Sequence, residues 1–122
     1  MTEYILCDAD LLKPEHQLVI IVIGTYDGAE IGLPEIVSCC AEGIGYGANE
    51  SGITFWDELD EYEQERNELF EVECYLMDDS CTLTYAELYH YLVVACNRYG
   101  ERFANARSEL QHNLATYRER FL

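Results

Sequence analysis

Basic side chains are scarce in this sequence. Seven Lys and Arg stand against 24 Asp and Glu, a formal net charge of −17 over 122 residues. That balance excludes a protein that grips nucleic acid through its phosphates, which takes stripes of lysine and arginine. It argues equally against docking on an anionic membrane surface. Long apolar runs are missing too. The longest, Leu18 to Ile23, is six residues, far short of a membrane span. The first residues, M-T-E-Y-I-L, have neither the basic start nor the apolar stretch of an export signal. There is no C-x-x-C pair among the six cysteines, and His16, His90 and His112 are scattered. Zinc spacing is therefore absent, and a cytosolic chain with reduced thiols is expected. Nor is there a G-x-S-x-G elbow, an H-E-x-x-H pair or a G-K-[ST] phosphate loop.

What is present is a globular composition under that charge. Apolar residues make up 49%, with ten Tyr, four Phe and Trp56. Disordered acidic chains lack such aromatics, so the length fits one domain with a real core.

The acidity is concentrated. Asp57 to Glu73 carries nine carboxylates and one arginine, directly after Trp56. Residues 1–97 hold 21 acids and two bases; residues 98–122 hold three acids and five arginines. Self-repulsion at this charge costs stability, and a basic partner is the most economical reason to bear it. Trp56, Leu59 and Tyr62 interrupt the carboxylates. Charges steer a basic partner, and Trp and Tyr are common interface anchors. The candidate partner-binding residues are thus Trp56, Asp57, Glu58, Asp60, Glu61, Tyr62, Glu63 and Glu65. In the alternative reading the apolar three pack inward under a solvated acidic loop; both can hold for different residues. The same acids lack the D-x-[DN]-x-[DN]-G pattern of a calcium loop. Cys39-Cys40 lies near Glu35 and Glu42, whose field raises a thiol pKa, so this pair reads as core rather than nucleophile. No catalytic, cofactor or metal residue is assigned.

Periodicity gives the elements. Lys13-Pro14-Glu15 looks like a helix start, with Leu18, Ile21, Val22 and Tyr26 at helical spacing before Asp27-Gly28. The β-branched run inside it would also suit a strand; helix is preferred. Leu33 to Glu42 reads as a second helix with Ile36, Val37 and Cys40 inward. Gly43 to Gly52, with four glycines, reads as a structural loop. Ile53 and Phe55, then Phe70, Val72, Cys74 and Leu76, alternate as half-buried strands. A turn at Asp78-Asp79-Ser80 makes residues 70–84 a hairpin. Thr84 and Glu87 form a capping box before the stripe Leu88, Leu92, Ala95, Cys96, Tyr99, with Gly100 ending or weakening the helix. Ser108 and Gln111 suggest a second box before Leu110, Leu114, Tyr117 and Phe121. Helices, strands, then helices predict an α+β domain: a small antiparallel sheet packed with N- and C-terminal helices.

Four stretches together resemble a known family: G-Y-G at 45–47, G-I-T-F-W-D-E-L-D-E-Y-E from Gly52, F-E-V-E-C-Y-L from Phe70, and L-T-Y-A-E-L-Y-H-Y-L-V-V-A-C-N-R-Y from Leu83. Across about residues 14–104 the chain is similar to the immunity proteins of bacterial contact-dependent growth inhibition systems, and most to those that neutralise ribonuclease toxins. The resemblance implies a cytoplasmic, non-enzymatic inhibitor. It implies a 1:1 partner, the basic C-terminal nuclease domain of a cognate toxin, blocked at its active site or RNA entry. It favours helix for Leu18–Ile23 and transfers no individual interface residue. The competing expectation is an acidic nucleic-acid mimic that inhibits a defence or regulatory nuclease.

Overall fold

The computed structural model describes residues 4–24, 32–48 and 50–122. Its glycine-rich stretch, expected as a loop, is instead the first hairpin of a sheet. Strand β1 (Tyr46–Ala48) runs antiparallel to β2 (Ser51–Phe55), with Gly47 opposite Gly52. The glycines make room for a ring. Tyr75 lies directly across from Gly52. A Cβ on Gly52 would stand 2.5 Å from Tyr75 Oη and 2.3 Å from the Tyr46 carbonyl oxygen. One on Gly47 would stand 2.7 Å from Tyr75 Oη. A tyrosine thus covers the strand positions that lack side chains.

Strands β3 (Val72–Leu76) and β4 (Asp79–Leu83) complete a four-stranded antiparallel sheet in the order β1-β2-β3-β4. The hairpin over 70–84 is therefore present, but its turn is Met77–Asp78, not Asp78-Asp79-Ser80. Burial decides this. Cys74 faces Cys81 and Val72 faces Leu83, and all four are buried. Keeping them on one face leaves two residues for the connection. The cost falls on Met77, whose φ of 54° is left-handed.

The face bearing Ile53, Phe55, Val72, Cys74, Cys81 and Leu83 is buried and carries the core. The opposite face shows Thr54, Glu73 and Thr82, half-buried or exposed. Full burial of a side chain such as Phe55 contributes about 2–3 kcal/mol.

Helix α1 is shorter than expected, Val19–Ile23, with a separate 3₁₀ turn at Pro14–His16. It buries Val19, Val22 and Ile23, while Ile21 points outward. Gly24, at φ 95°, ends it; the expected end at Tyr26 and Asp27-Gly28 lies outside the described residues. Helix α2 (Leu33–Ala41) buries Ile36, Val37 and Cys40 as anticipated, with Gly43 at φ 73° beyond its end. After the sheet, α4 (Tyr85–Arg102) starts on the Thr84–Glu87 capping box and buries Leu88, Tyr91, Leu92, Ala95 and Cys96. Gly100 does not stop it. It is a buried helical residue, and a Cβ there would stand 2.9 Å from Arg107 Cγ. The glycine admits the Arg107 side chain, whose Nε–H donates to the Gly100 carbonyl at 2.7 Å. Helix α5 (Arg107–Phe121) has no side-chain cap. The 3₁₀ turn Ala104–Ala106 runs straight into it, so Ser108 is already helical. Helix α5 packs on α2 and α4 through Leu110, Leu114 and Tyr117.

The segment before α1 is clasped onto α4. Arg98 donates to the Ile5 carbonyl and, through both Nη atoms, to Asp10. Buried His16 shares a hydrogen bond with Tyr91 Oη at 2.8 Å, and the Leu12 N–H donates to the same hydroxyl. Lys13 pairs with Glu87 at 3.1 Å. Burial works to raise the Glu87 carboxyl pKa; the Thr84 amide and Lys13 outweigh it, so the value lies below the ordinary one.

Candidate partner-binding site

The acidic stretch is not loop throughout, and its last residues, Val72 and Glu73, begin β3. Between β2 and β3 it makes a 3₁₀ turn, Trp56–Glu58, and a short helix, α3 (Glu61–Arg66). Six residues of helix are marginal alone, so the surroundings must hold them. Asp60 caps α3, its Oδ1 accepting the Glu63 N–H at 2.8 Å. Glu61 and Glu63 sit at the positive end of the helix dipole and Arg66 at the negative end. Gln64 reaches back to donate to the carbonyls of Trp56 at 3.2 Å and Leu59 at 3.3 Å. Trp56 meets Phe70 edge to face, ring centres 5.0 Å apart. Its N–H donates to the Glu71 carbonyl at 3.1 Å, extending the ladder past the strand ends.

The eight candidate residues are thus brought together on one excursion, in two roles. Asp57, Glu61, Glu63 and Glu65 are exposed. Tyr62 is 63% exposed and carries the Arg66 guanidinium, which lies 5.2 Å from its ring centre and donates to its hydroxyl. Glu58 and Asp60 are also exposed but serve the fold. Glu58 Oε2 accepts the Gly45 N–H at 2.5 Å and the Phe55 N–H at 3.3 Å. Trp56 is half-buried against Phe70, so the inward-packing alternative holds for it and for half-buried Leu59, while Tyr62 stands out. Glu71, deeper in the stretch, accepts the Tyr85 N–H at 2.8 Å and helps start α4.

The parts that three residues play at this site escaped the sequence reading. Leu69 is 81% exposed beside the carboxylates, and its position before Phe70, out of step with the strand alternation, was the available signal. Gln64 and Phe70 hold the excursion in place; only tertiary contacts reveal them.

The thiols other than exposed Cys7 are unsuited to nucleophilic chemistry. Burial pushes Cys81 up to about 11 and Cys96 up to about 12, and drives Cys40 and Cys74 up as well. For Cys39 burial is the larger cause, followed by Glu42 and Glu35. Among the described residues no three His, Cys, Asp or Glu are grouped to hold a metal ion.

A family model described as CDI immunity protein matches residues 26–114. The chain belongs to this family. The match spans both hairpins, the whole excursion and the start of α5. CDI denotes contact-dependent growth inhibition. Membership implies a cognate CDI toxin as partner and a toxin-neutralising role; immunity proteins of this kind are in general inhibitors without catalysis. No curated protein and no solved structure matches the chain. Among the described residues no helix is long and apolar enough to cross a membrane.

Proposed function

We propose that this CDI immunity protein neutralises a basic ribonuclease toxin domain, one to one and in the cytoplasm. It lays the α3 excursion over the cleft that admits RNA and has no catalytic activity of its own. The observation that carries this reading is the projection of Asp57, Glu61, Glu63 and Glu65, all exposed, around an outward Tyr62. Arg66 is the only base within Asp57–Glu73. A ribonuclease cleft is lined by lysine and arginine to hold phosphate, and carboxylates at helical spacing can occupy those positions. Charge sets the association rate, and Tyr62 with Leu69 supplies apolar area.

Co-expression with the C-terminal domain of whatever protein the immediately upstream gene encodes tests this reading. The expected result is a 1:1 complex in which RNA degradation stops. A complex that leaves nuclease activity intact, or a partner that cuts no RNA, overturns the ribonuclease assignment. Equal inhibition of unrelated nucleases, with steep salt dependence, would instead mark the protein as a nucleic-acid mimic.

A further inference from the structure

The end of the sheet opposite α3 carries an open apolar groove of about 690 Å³ between the N-terminal segment, α1 and β3. Tyr4, Leu6, Leu18, Ile20, Ile21 and Leu76 line it. Leu76 also borders a neighbouring depression shared with Glu50 and Met77, so the apolar surface runs on to the hairpin tip. Tyr4 and Ile21 are each 46% exposed and Met77 is 71% exposed.

Two features set this surface apart from scattered exposed side chains. The first is backbone strain. Glu50 and Met77 are the non-glycine residues at positive φ among those described, 79° and 54°. They touch, the Met77 N–H donating to the Glu50 carbonyl at 2.6 Å. A left-handed residue that also exposes a methionine is unfavourable twice over for a free monomer. Methionine is, however, well suited to a binding surface because its flexible thioether adapts to what it meets.

The second feature is charge. Asp8, Glu50, Asp78 and Asp79 are exposed around the groove and the tip, and among the described residues no lysine or arginine lines either depression. The nearby cations Lys13 and Arg98 are engaged with Glu87 and Asp10. A second copy of the chain would bring −17 against −17. An apolar side chain flanked by lysine or arginine fits both the groove and its rim.

We propose that this groove, with Met77 at its lip, receives such a side chain from the cognate toxin domain and forms a second contact beyond the acidic excursion. The proposal rests on the reading of the chain as an inhibitor of a basic toxin. The separation of the two contacts along the sheet is within the span of one interface. The strands separating them are five residues long, about 15 Å, and a standard interface of about 800 Å² per partner is roughly 30 Å across.

The test uses the full chain and the cognate toxin domain. Ile21→Ser and Met77→Gly remove groove contacts at exposed positions, and Met77→Gly also relieves the strained backbone, so it folds at least as well. Each is expected to speed dissociation about tenfold or more with association little changed. A second readout is built in, because Cys7 is exposed at the groove edge. Bound toxin is expected to slow alkylation of Cys7 tenfold or more. Unchanged dissociation of both variants, or unprotected Cys7 in the complex, overturns the groove contact and leaves the inhibitor reading standing. Absence of any complex with the unaltered chain overturns both. Concentration-dependent protection of Cys7 without toxin shows a self-association groove and likewise overturns the proposal.

Discussion

Arg98 holds Asp10 with two parallel hydrogen bonds, Nη1 to Oδ2 at 2.5 Å and Nη2 to Oδ1 at 2.8 Å. The pair joins the N-terminal segment to α4 across 88 residues of sequence, and the Asp10 side chain is only 11% exposed. The Arg98 hydrogen bonds outweigh burial and hold the Asp10 carboxyl down at about 2. A depressed acid contributes stability that is present above its unfolded value and lost as pH falls toward its folded one. The window for Asp10 is therefore from about pH 4 down to about pH 2. Arg98→Ala leaves a largely buried carboxylate with the Cys7 N–H but no cation to hold it, and is expected to cost about 2 kcal/mol at pH 7. The loss should shrink toward pH 2, as read by urea unfolding across that range. A pH-independent loss would mean that Arg98 acts through packing and its hydrogen bond to the Ile5 carbonyl rather than through Asp10.

Gly52→Ala tests the tyrosine-covered hairpin. The added Cβ meets the Tyr46 carbonyl oxygen and the Tyr75 hydroxyl well inside contact distance, and backbone cannot swing away. A destabilisation of about 2 kcal/mol or more is expected in thermal or denaturant unfolding. Adding Tyr75→Ala removes one of the two clashes and should recover only part of it.

Charge reversal on α3 separates steering from anchoring. Glu61→Lys with Glu65→Lys leaves the Asp60 cap and the Gln64 clamp intact. Association with the cognate toxin domain should slow about tenfold or more at low salt, and the difference should narrow as salt rises. Reversing Asp60 is a poorer probe, since losing an N-cap costs about 1 kcal/mol by itself. Association unaffected at every salt concentration would remove α3 from the interface.

Met77→Gly should raise stability and lower affinity together. Relief of a left-handed φ contributes about 1 kcal/mol, visible as a higher unfolding midpoint. Weaker toxin binding by a better-folded protein would show that the strain is kept for the contact. A gain in stability with full affinity would make Met77 a turn residue only.

The sequence by itself determined the α+β class, the hairpin over 70–84, the second helix, the Thr84–Glu87 start of α4 and the stripes of the last two helices. Each rests on periodicity or capping between residues close in the chain. It also determined that the chain is acidic and concentrates its carboxylates after Trp56. Tertiary structure decided what depends on distant partners. Gly47 and Gly52 look like loop residues until Tyr75 lies across them. Gly100 looks like a helix end until Arg107 packs on it. The hairpin turn sits at Met77–Asp78 because buried Cys74 and Cys81 must face each other, not because of local turn preference. In the acidic segment, composition cannot tell a carboxylate that caps a backbone, such as Glu58 or Asp60, from one that faces solvent, such as Glu61 or Glu65. That division depends on which N–H groups the fold brings within reach. The apolar groove has no local signature at all, since Tyr4, Ile21 and Leu76 belong to three separate segments that only folding places side by side.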